Sequence, residues 1–449
     1  MPAQQRPPIK LGPLWFVPGV TGTNLGTMVF AGFGTMAMIS FMSFMQPYVL
    51  TELLHVPAEQ QGELTGNLHA FQEIIFILLA GFVGALSDRV GRPLVYGSGF
   101  IVLAIGYGLY PMSDTITQLY IVRALFAVGV AMVAVMLSAC TVDYIQERSR
   151  GRWVGMMSVF NGFGIVSMSA LLSRLPSMYE NAGSDAITAG RFSFWTVAGL
   201  CLVVGIVLVA GLYRGGSKHD DEHANLLAKF KDGIRAGIKS PRLAIAYGGA
   251  FIGRGDFAVI GTFFSLWLTQ VGIEQGMTSA DALKKAGMLF AMIQICALIW
   301  APFMGILTDR LRRITAVSAG LLIAGCGYIG MSMVPDPFGP WMYPAAVLLG
   351  MGETSVIISV AALLGQESDS PNRGSIVGVF GLLGGLGILA TVFFGGHLFD
   401  GVERTTPFLM MGLLNLALML AALWVRSAHQ HTETDYRVSS WDNTSTENK

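Results

Sequence analysis

Apolar residues in this chain come in long runs, not in short alternating stretches. Runs near the length that crosses a hydrocarbon core about 30 Å thick fall at 24–50, 63–86, 94–112, 117–141, 153–173 and 192–213, then at 243–270, 286–307, 314–334, 341–364, 375–397 and 407–426. A polar stretch, 214–240, divides them into two groups of six. The pattern predicts an all-α polytopic membrane protein with 12 transmembrane helices. Its expected parts are a six-helix bundle over 1–213, a linker over 214–240, a second six-helix bundle over 241–426 and a disordered polar tail over 427–449. Within the linker, Leu226, Leu227, Phe230, Ile234 and Ile238 share a helical face, with Lys229, Lys231, Arg235 and Lys239 between them. That arrangement predicts an interfacial helix lying on anionic headgroups. Gln4, Gln5, Arg6 and the Pro7–Pro8 pair lead into the first run without a small-residue cleavage site, so no signal peptide is expected.

Composition excludes the alternatives to a membrane protein. Of 449 residues, 53% are hydrophobic and only 12% are charged, about half the roughly 25% of soluble domains, and the mean hydropathy is +0.58. The 28 basic and 28 acidic residues cancel, which argues against a nucleic-acid partner. Their placement is uneven. With both termini cytoplasmic, 21 Lys and Arg fall on the cytoplasmic side, 5 on the other, and only Arg123 and Arg254 within spans; this sets the expected orientation in the cell membrane. The four cysteines, Cys140, Cys201, Cys296 and Cys326, sit inside apolar runs without metal or bridge spacing.

The two halves repeat one another. Gly84-Ala-Leu-Ser-Asp88-Arg89-Val-Gly91-Arg92 reappears 221 positions later as Gly305-Ile-Leu-Thr-Asp309-Arg310-Leu-Arg312-Arg313. The same offset carries Gly32 and Gly34 onto Gly253 and Gly255, and an offset of 223 carries Arg150, Gly151 and Gly155 onto Arg373, Gly374 and Gly378. Two pseudo-symmetric six-span halves are a transporter architecture with a mid-membrane site at the repeat interface. The Gly84-to-Arg92 segment resembles the signature loop of the major facilitator superfamily. That resemblance implies two bundles that rock about a central site lined by spans one, four, seven and ten. It implies further that Asp88, Arg89 and Arg92 latch one face shut, with Asp309, Arg310 and Arg313 as the symmetric latch. A carboxylate at the positive end of a helix is a physically sound latch; the plainer alternative is a pair of turns obeying the charge rule. Two departures stand out. Arg123 is followed by Ala127 where the family's fourth-span pattern has Gly, and the fifth span reads Asn161-Gly162-Phe163-Gly164 without the Pro of many drug/proton antiporters.

Ionisable side chains inside spans are costly and point to function. Glu73 is the first candidate proton carrier, with His69 one turn earlier on the same helical face to share the proton; Asp256 and Glu353 are the others. The structural alternative is that Asp256 and Glu353 neutralise Arg254 and Arg123. Arg254 could meet a substrate carboxylate or phosphate, and Arg123, Asn67, Gln72, Asn161 and Gln294 complete the expected substrate cavity. The first span is rich in Met and Phe from Phe33 to Met45, which suits either an adaptable apolar cavity or simple packing. Motifs for nucleotide, zinc or nucleophilic chemistry are missing, so neither an enzyme nor a cofactor is expected. The reading is a monomeric secondary active transporter of a small organic solute, coupled to protons. The reading leans to export of an amphipathic compound, on the apolar first span, with uptake of a small organic anion, on Arg254, as the alternative. A transporter-like accessory or sensor protein is the rival from another class.

Overall fold

The computed structural model describes residues 10–215, 226–368 and 373–428. Helices dominate because a backbone in hydrocarbon must satisfy its own hydrogen bonds. They are α1 (Gly22–Tyr48), α2 (Ala58–Val90), α3 (Arg92–Leu109), α4 (Ile116–Asp143), α5 (Arg150–Leu171), the short α6 (Leu175–Asn181) and α7 (Ala186–Gly211). After the linker come α8 (Leu226–Lys239), α9 (Pro241–Glu274), α10 (Ser279–Arg310), α11 (Arg313–Ser332), α12 (Met342–Glu367), α13 (Arg373–Gly401) and α14 (Thr406–Ala428). Among the described residues 12 helical segments are long and apolar enough to cross a membrane. They match the predicted runs one for one, and several extend beyond them by a turn or more. The expected tail lies outside the described residues from 429 onward, as does 216–225 of the linker.

The linker helix is present, and the side it turns to the bundle is made of glycines rather than of its apolar residues. Gly233 and Gly237 face the bundle, against the Ser375 carbonyl and the Tyr247 ring, and Tyr247 donates to the Gly233 carbonyl at 3.0 Å. Ile234 and Ile238 are instead exposed, the latter at 80%. Small residues let the helix approach its neighbours, leaving those two isoleucines on the outer side beside Lys231, Arg235 and Lys239.

Residues before the first span form a strap that the hydropathy pattern gives no sign of. Strands β1 (Lys10–Leu11) and β2 (Leu14–Trp15) pair antiparallel, and the chain then docks along the loop between α4 and α5. Val17 donates to the Tyr144 carbonyl at 3.1 Å and Gln146 to that of Trp15 at 2.9 Å. Phe16 is fully buried, edge-on to Trp153, and Arg148 stacks over Trp15 at 3.6 Å.

The two halves meet along two antiparallel seams. In the first, Gly62 of α2 faces Asp400 of α13, Gly66 faces Gly396, and Ile77 faces Gly385. A constant sum of residue numbers marks a straight antiparallel contact, so Gly81 and Gly84 should face Gly381 and Gly378. Around all four there is open space. The second seam behaves alike: Gly287 of α10 is clamped by Ser169 of α5 and by Ser173 just beyond its end, and Leu298 packs on Gly162, yet Gly305 and Gly155 meet nothing. Both seams are therefore closed toward the face holding Glu52 and Ser279 and splayed toward the face holding the repeated loops. The molecule is open on the latch-bearing face.

Candidate functional site

The repeated loops are built from contacts inside each half. Arg92 pairs with Asp88 at 2.7 Å and with Asp143, at the end of α4, at 3.0 Å. Arg313 pairs with Asp309 at 3.0 Å and donates to the Thr308 carbonyl at 2.7 Å. None of these bonds crosses to the other half, as befits a face that stands open. Gly91 has φ of +102°, a left-handed turn that admits glycine readily and directs Arg92 into α3. Arg89 and Arg310 are exposed.

Glu73 and Arg254, from opposite halves, approach consecutive glycines of α13. The Glu73 Oε1 lies 3.4 Å from where a Cβ on Gly385 would stand, and the Arg254 Cγ lies 2.9 Å from the equivalent point on Gly384. The two charges feel each other electrostatically without a direct ion pair. They sit at the depth where the α2–α13 seam parts. Arg254 is exposed into a cavity of about 340 Å³ lined by Gly249, Ala250, Gly253, Ile357, Val360, Phe380, Gly381 and Gly384. One guanidinium in an otherwise small and apolar wall is its chemical signature. A larger cleft, about 470 Å³, lies on the opposite face around Glu59, Glu274 and Arg404, away from the intramembrane charges.

The other expected residues are distributed differently from the sequence reading. His69 does not turn to Glu73. Its Nε2 lies 3.0 Å from the Ser43 hydroxyl of α1 and its Nδ1 2.7 Å from the Thr262 hydroxyl of α9, so it tethers the two halves. Asp256, fully buried, takes both oxygens to the Asn415 amide at 2.9 and 3.1 Å. Glu353 accepts from Gln294 at 3.5 Å. Neither acid pairs with an arginine, so the structural alternative of Asp256–Arg254 and Glu353–Arg123 pairs is overturned. Arg254 points away from Asp256 because residues two apart on a helix face different sides.

Arg123, expected on the cavity, is only 1% exposed. It lies over Phe126 at 5.6 Å and reaches Gln46 Oε1 at 3.5 Å. Gln294 and Gln72 are likewise buried, whereas Asn67 is half-buried. Asn161 turns its amide nitrogen toward the Met157 and Gly32 carbonyls at 3.2 and 3.3 Å, a bond that pins α5 to α1. In the first span, Met38, Phe41, Met42, Phe44 and Met45 are all buried and pack helices together, so they do not line an adaptable cavity. Sequence reasoning passed over Gln46, Asn415 and Tyr328. The first two carried a signal, since each is a lone amide inside an apolar run. Among the described residues no group of three His, Cys, Asp or Glu could hold a metal ion.

A sequence profile described as Major Facilitator Superfamily matches residues 28–387 and, in a second match, 246–441. The chain belongs to the Major Facilitator Superfamily. It is therefore a transporter-family integral membrane protein. The chain is 26% identical over 88% of its length to magnetosome protein MamZ of Paramagnetospirillum magneticum, of which it spans 61%. Identity to magnetosome protein MamH of the same organism is 25%, over 86% of this chain and 89% of that protein. In three dimensions it resembles the nucleoside transporter NupG, with a TM-score of 0.68, 14% identity, and coverage of 90% of this chain and 99% of that one. At that identity the likeness concerns the fold alone, and the fold agrees with the twelve-span architecture.

Proposed function

We propose that the protein is a secondary transporter that moves an organic anion with an apolar body together with a proton, by rocking of its two halves. The observation that carries this reading is the position of Arg254. It is the exposed cation of a small apolar cavity, and its nearest intramembrane acid across the seam is Glu73. A carboxylate ligand would compete with Glu73 for the same guanidinium, so binding the anion favours a proton on Glu73. Substrate and proton then load together, which is the thermodynamic requirement of symport. Glu73 is preferred as the proton carrier over Asp256 and Glu353, which are held by Asn415 and Gln294 within the C-terminal half.

This favours uptake of an organic anion over export of an amphipathic compound. The export reading leaned on the apolar first span, where Met38, Phe41, Met42, Phe44 and Met45 are buried between helices. With both termini cytoplasmic, the open face is the cytoplasmic one, and the protein resides in the cell membrane with its latch loops inside. A transporter-like accessory protein would need neither an acid nor an arginine at the parting of the seam.

The test uses proteoliposomes with an imposed pH gradient and a panel of aromatic and aliphatic carboxylates, neutral analogues and amines. Carboxylates should collapse the gradient, Arg254→Gln should abolish the effect, and Glu73→Gln should leave binding but remove the proton movement. If neutral compounds or amines alone move protons, or if Glu73→Gln still couples, the reading is wrong.

A further inference from the structure

A second charged site lies inside the N-terminal half, away from the Arg254 cavity. Arg123 on α4 is 1% exposed, and no carboxylate among the described residues forms an ion pair with it. Among the described residues it reaches Gln46 Oε1 at 3.5 Å, an oxygen that already accepts from the Tyr110 hydroxyl at 2.5 Å, and it also lies within hydrogen-bonding reach of that hydroxyl. The Arg123 Nε has no partner, nor has the Gln46 Nε2, and Gln46 is equally buried. The Phe126 face offers a partial counter-charge at 5.6 Å. A desolvated guanidinium without a carboxylate counter-ion costs several kcal/mol, and two orphaned donors add to that.

Both orphaned atoms are N–H donors, and the uncompensated charge is positive. Water could take the hydrogen bonds and leave the charge; an anion satisfies both. We propose that Arg123 and Gln46 hold a small monovalent inorganic anion of halide size, bound between α1 and α4. The Arg123 guanidinium supplies the charge and the Nε hydrogen bond, Gln46 supplies its amide hydrogens, and the apolar surroundings of Phe126 and Tyr107 exclude larger, strongly hydrated anions. This ion is distinct from the transported solute, which meets Arg254 in the other half. Because Gln46 stands one turn before the π-helical segment Val49–Leu53 that ends the first span, the ion also fixes the outer end of α1.

The test is thermal unfolding of the purified full chain in chloride, bromide or gluconate at equal sodium concentration and ionic strength. Chloride and bromide should raise Tm saturably and gluconate should not. Gln46→Glu places a carboxylate beside Arg123; it should keep the raised Tm in gluconate and lose the chloride response. Arg254→Gln should retain that response. Radiolabelled chloride should bind wild type at one ion per chain, competed by bromide and not by gluconate, a readout that needs no variant to fold. Absence of chloride binding, a response that survives Gln46→Glu, or one that vanishes in Arg254→Gln would each overturn the proposal. The last outcome would move the ion to the Arg254 cavity, and leaves the symport reading to be judged by its own assay.

Discussion

Among the described residues, Asp256 is hydrogen-bonded by a single side chain. The Asn415 amide nitrogen reaches both carboxylate oxygens and the Met411 carbonyl as well, while its own oxygen finds no partner. Nearby, the Tyr328 hydroxyl is buried without a partner. Replacing Asn415 by Leu strands the Asp256 oxygens, and a buried polar group left unsatisfied costs about 1–3 kcal/mol, more when charged. Asn415→Leu should therefore lower Tm in detergent markedly, and adding Asp256→Leu should restore part of the loss, because two matched apolar groups leave nothing stranded. A double variant no more stable than the single would show that the two residues do not act as a pair. At this scale the sequence pointed to Asp256 and Glu353 as intramembrane acids. Their true partners, Asn415 and Gln294, depend on which helix faces which, and spacing along the chain does not contain that.

The seams belong to the scale of the element. Glycine at Gly62, Gly66, Gly287 and Gly396 lets two helices approach until backbone touches backbone, as a Cβ on Gly66 would stand 2.3 Å from the Val392 carbonyl oxygen. In a bilayer such close packing, rather than hydrophobic burial, holds helices together. The glycines continue past the point where the seams part, at Gly81, Gly84, Gly378 and Gly381 in one and at Gly155 and Gly305 in the other, and there they are idle. Their use is expected in the alternate state, with the latch face shut. A Gly81→Cys/Gly381→Cys pair on a background free of reactive thiols should cross-link only when that face closes, and substrate should change the yield. Equal cross-linking in every condition would mean that these helices do not separate in the cycle. The repeat offsets place Gly84 on Gly305 and Gly155 on Gly378, so four of the six open glycines form two symmetric pairs. That symmetry was readable in the sequence, whereas the pairing of α2 with α13 and of α5 with α10 was not.

Across the whole molecule, the closed face is held by bonds between the halves. Asp400, at the end of α13, accepts from the backbone N–H of Gly62 at 2.9 Å and of Glu63 at 2.6 Å, near the positive end of α2. Gln270 of α9 donates to the Ala58 carbonyl at 3.0 Å, His397 faces Glu63 at 3.5 Å, and the Ser279 hydroxyl donates to Glu52. The open face has no such set among the loop contacts described above. Asp400→Asn removes the charge and one acceptor, so it should shift the population toward opening on the α13 C-terminal side. Labelling of a cysteine placed at Ala70, which is buried against Val392 in the same seam, should then rise several-fold over the same cysteine in the parent background. Unchanged labelling would show that the remaining bonds suffice.

Hydropathy, charge placement and the internal repeat determined the span count, the family and the short roll of intramembrane charges, because each is a property of residue type and order. The bilayer enforces them: length and apolarity decide what crosses, and lysine and arginine decide which loops stay on the cytoplasmic side. Tertiary structure alone decided which of those charges meet. It separated Arg123 from Glu353 and Arg254 from Asp256, brought Glu73 to Arg254 across the seam, gave His69 to Ser43 and Thr262, and folded residues 10–20 into a strap. These outcomes follow from helix rotation and from contacts between separate helices, most of them more than a hundred residues apart. Rotation of a helix in an apolar medium is set by its neighbours, so it is written in the packing of the whole and not in any one segment.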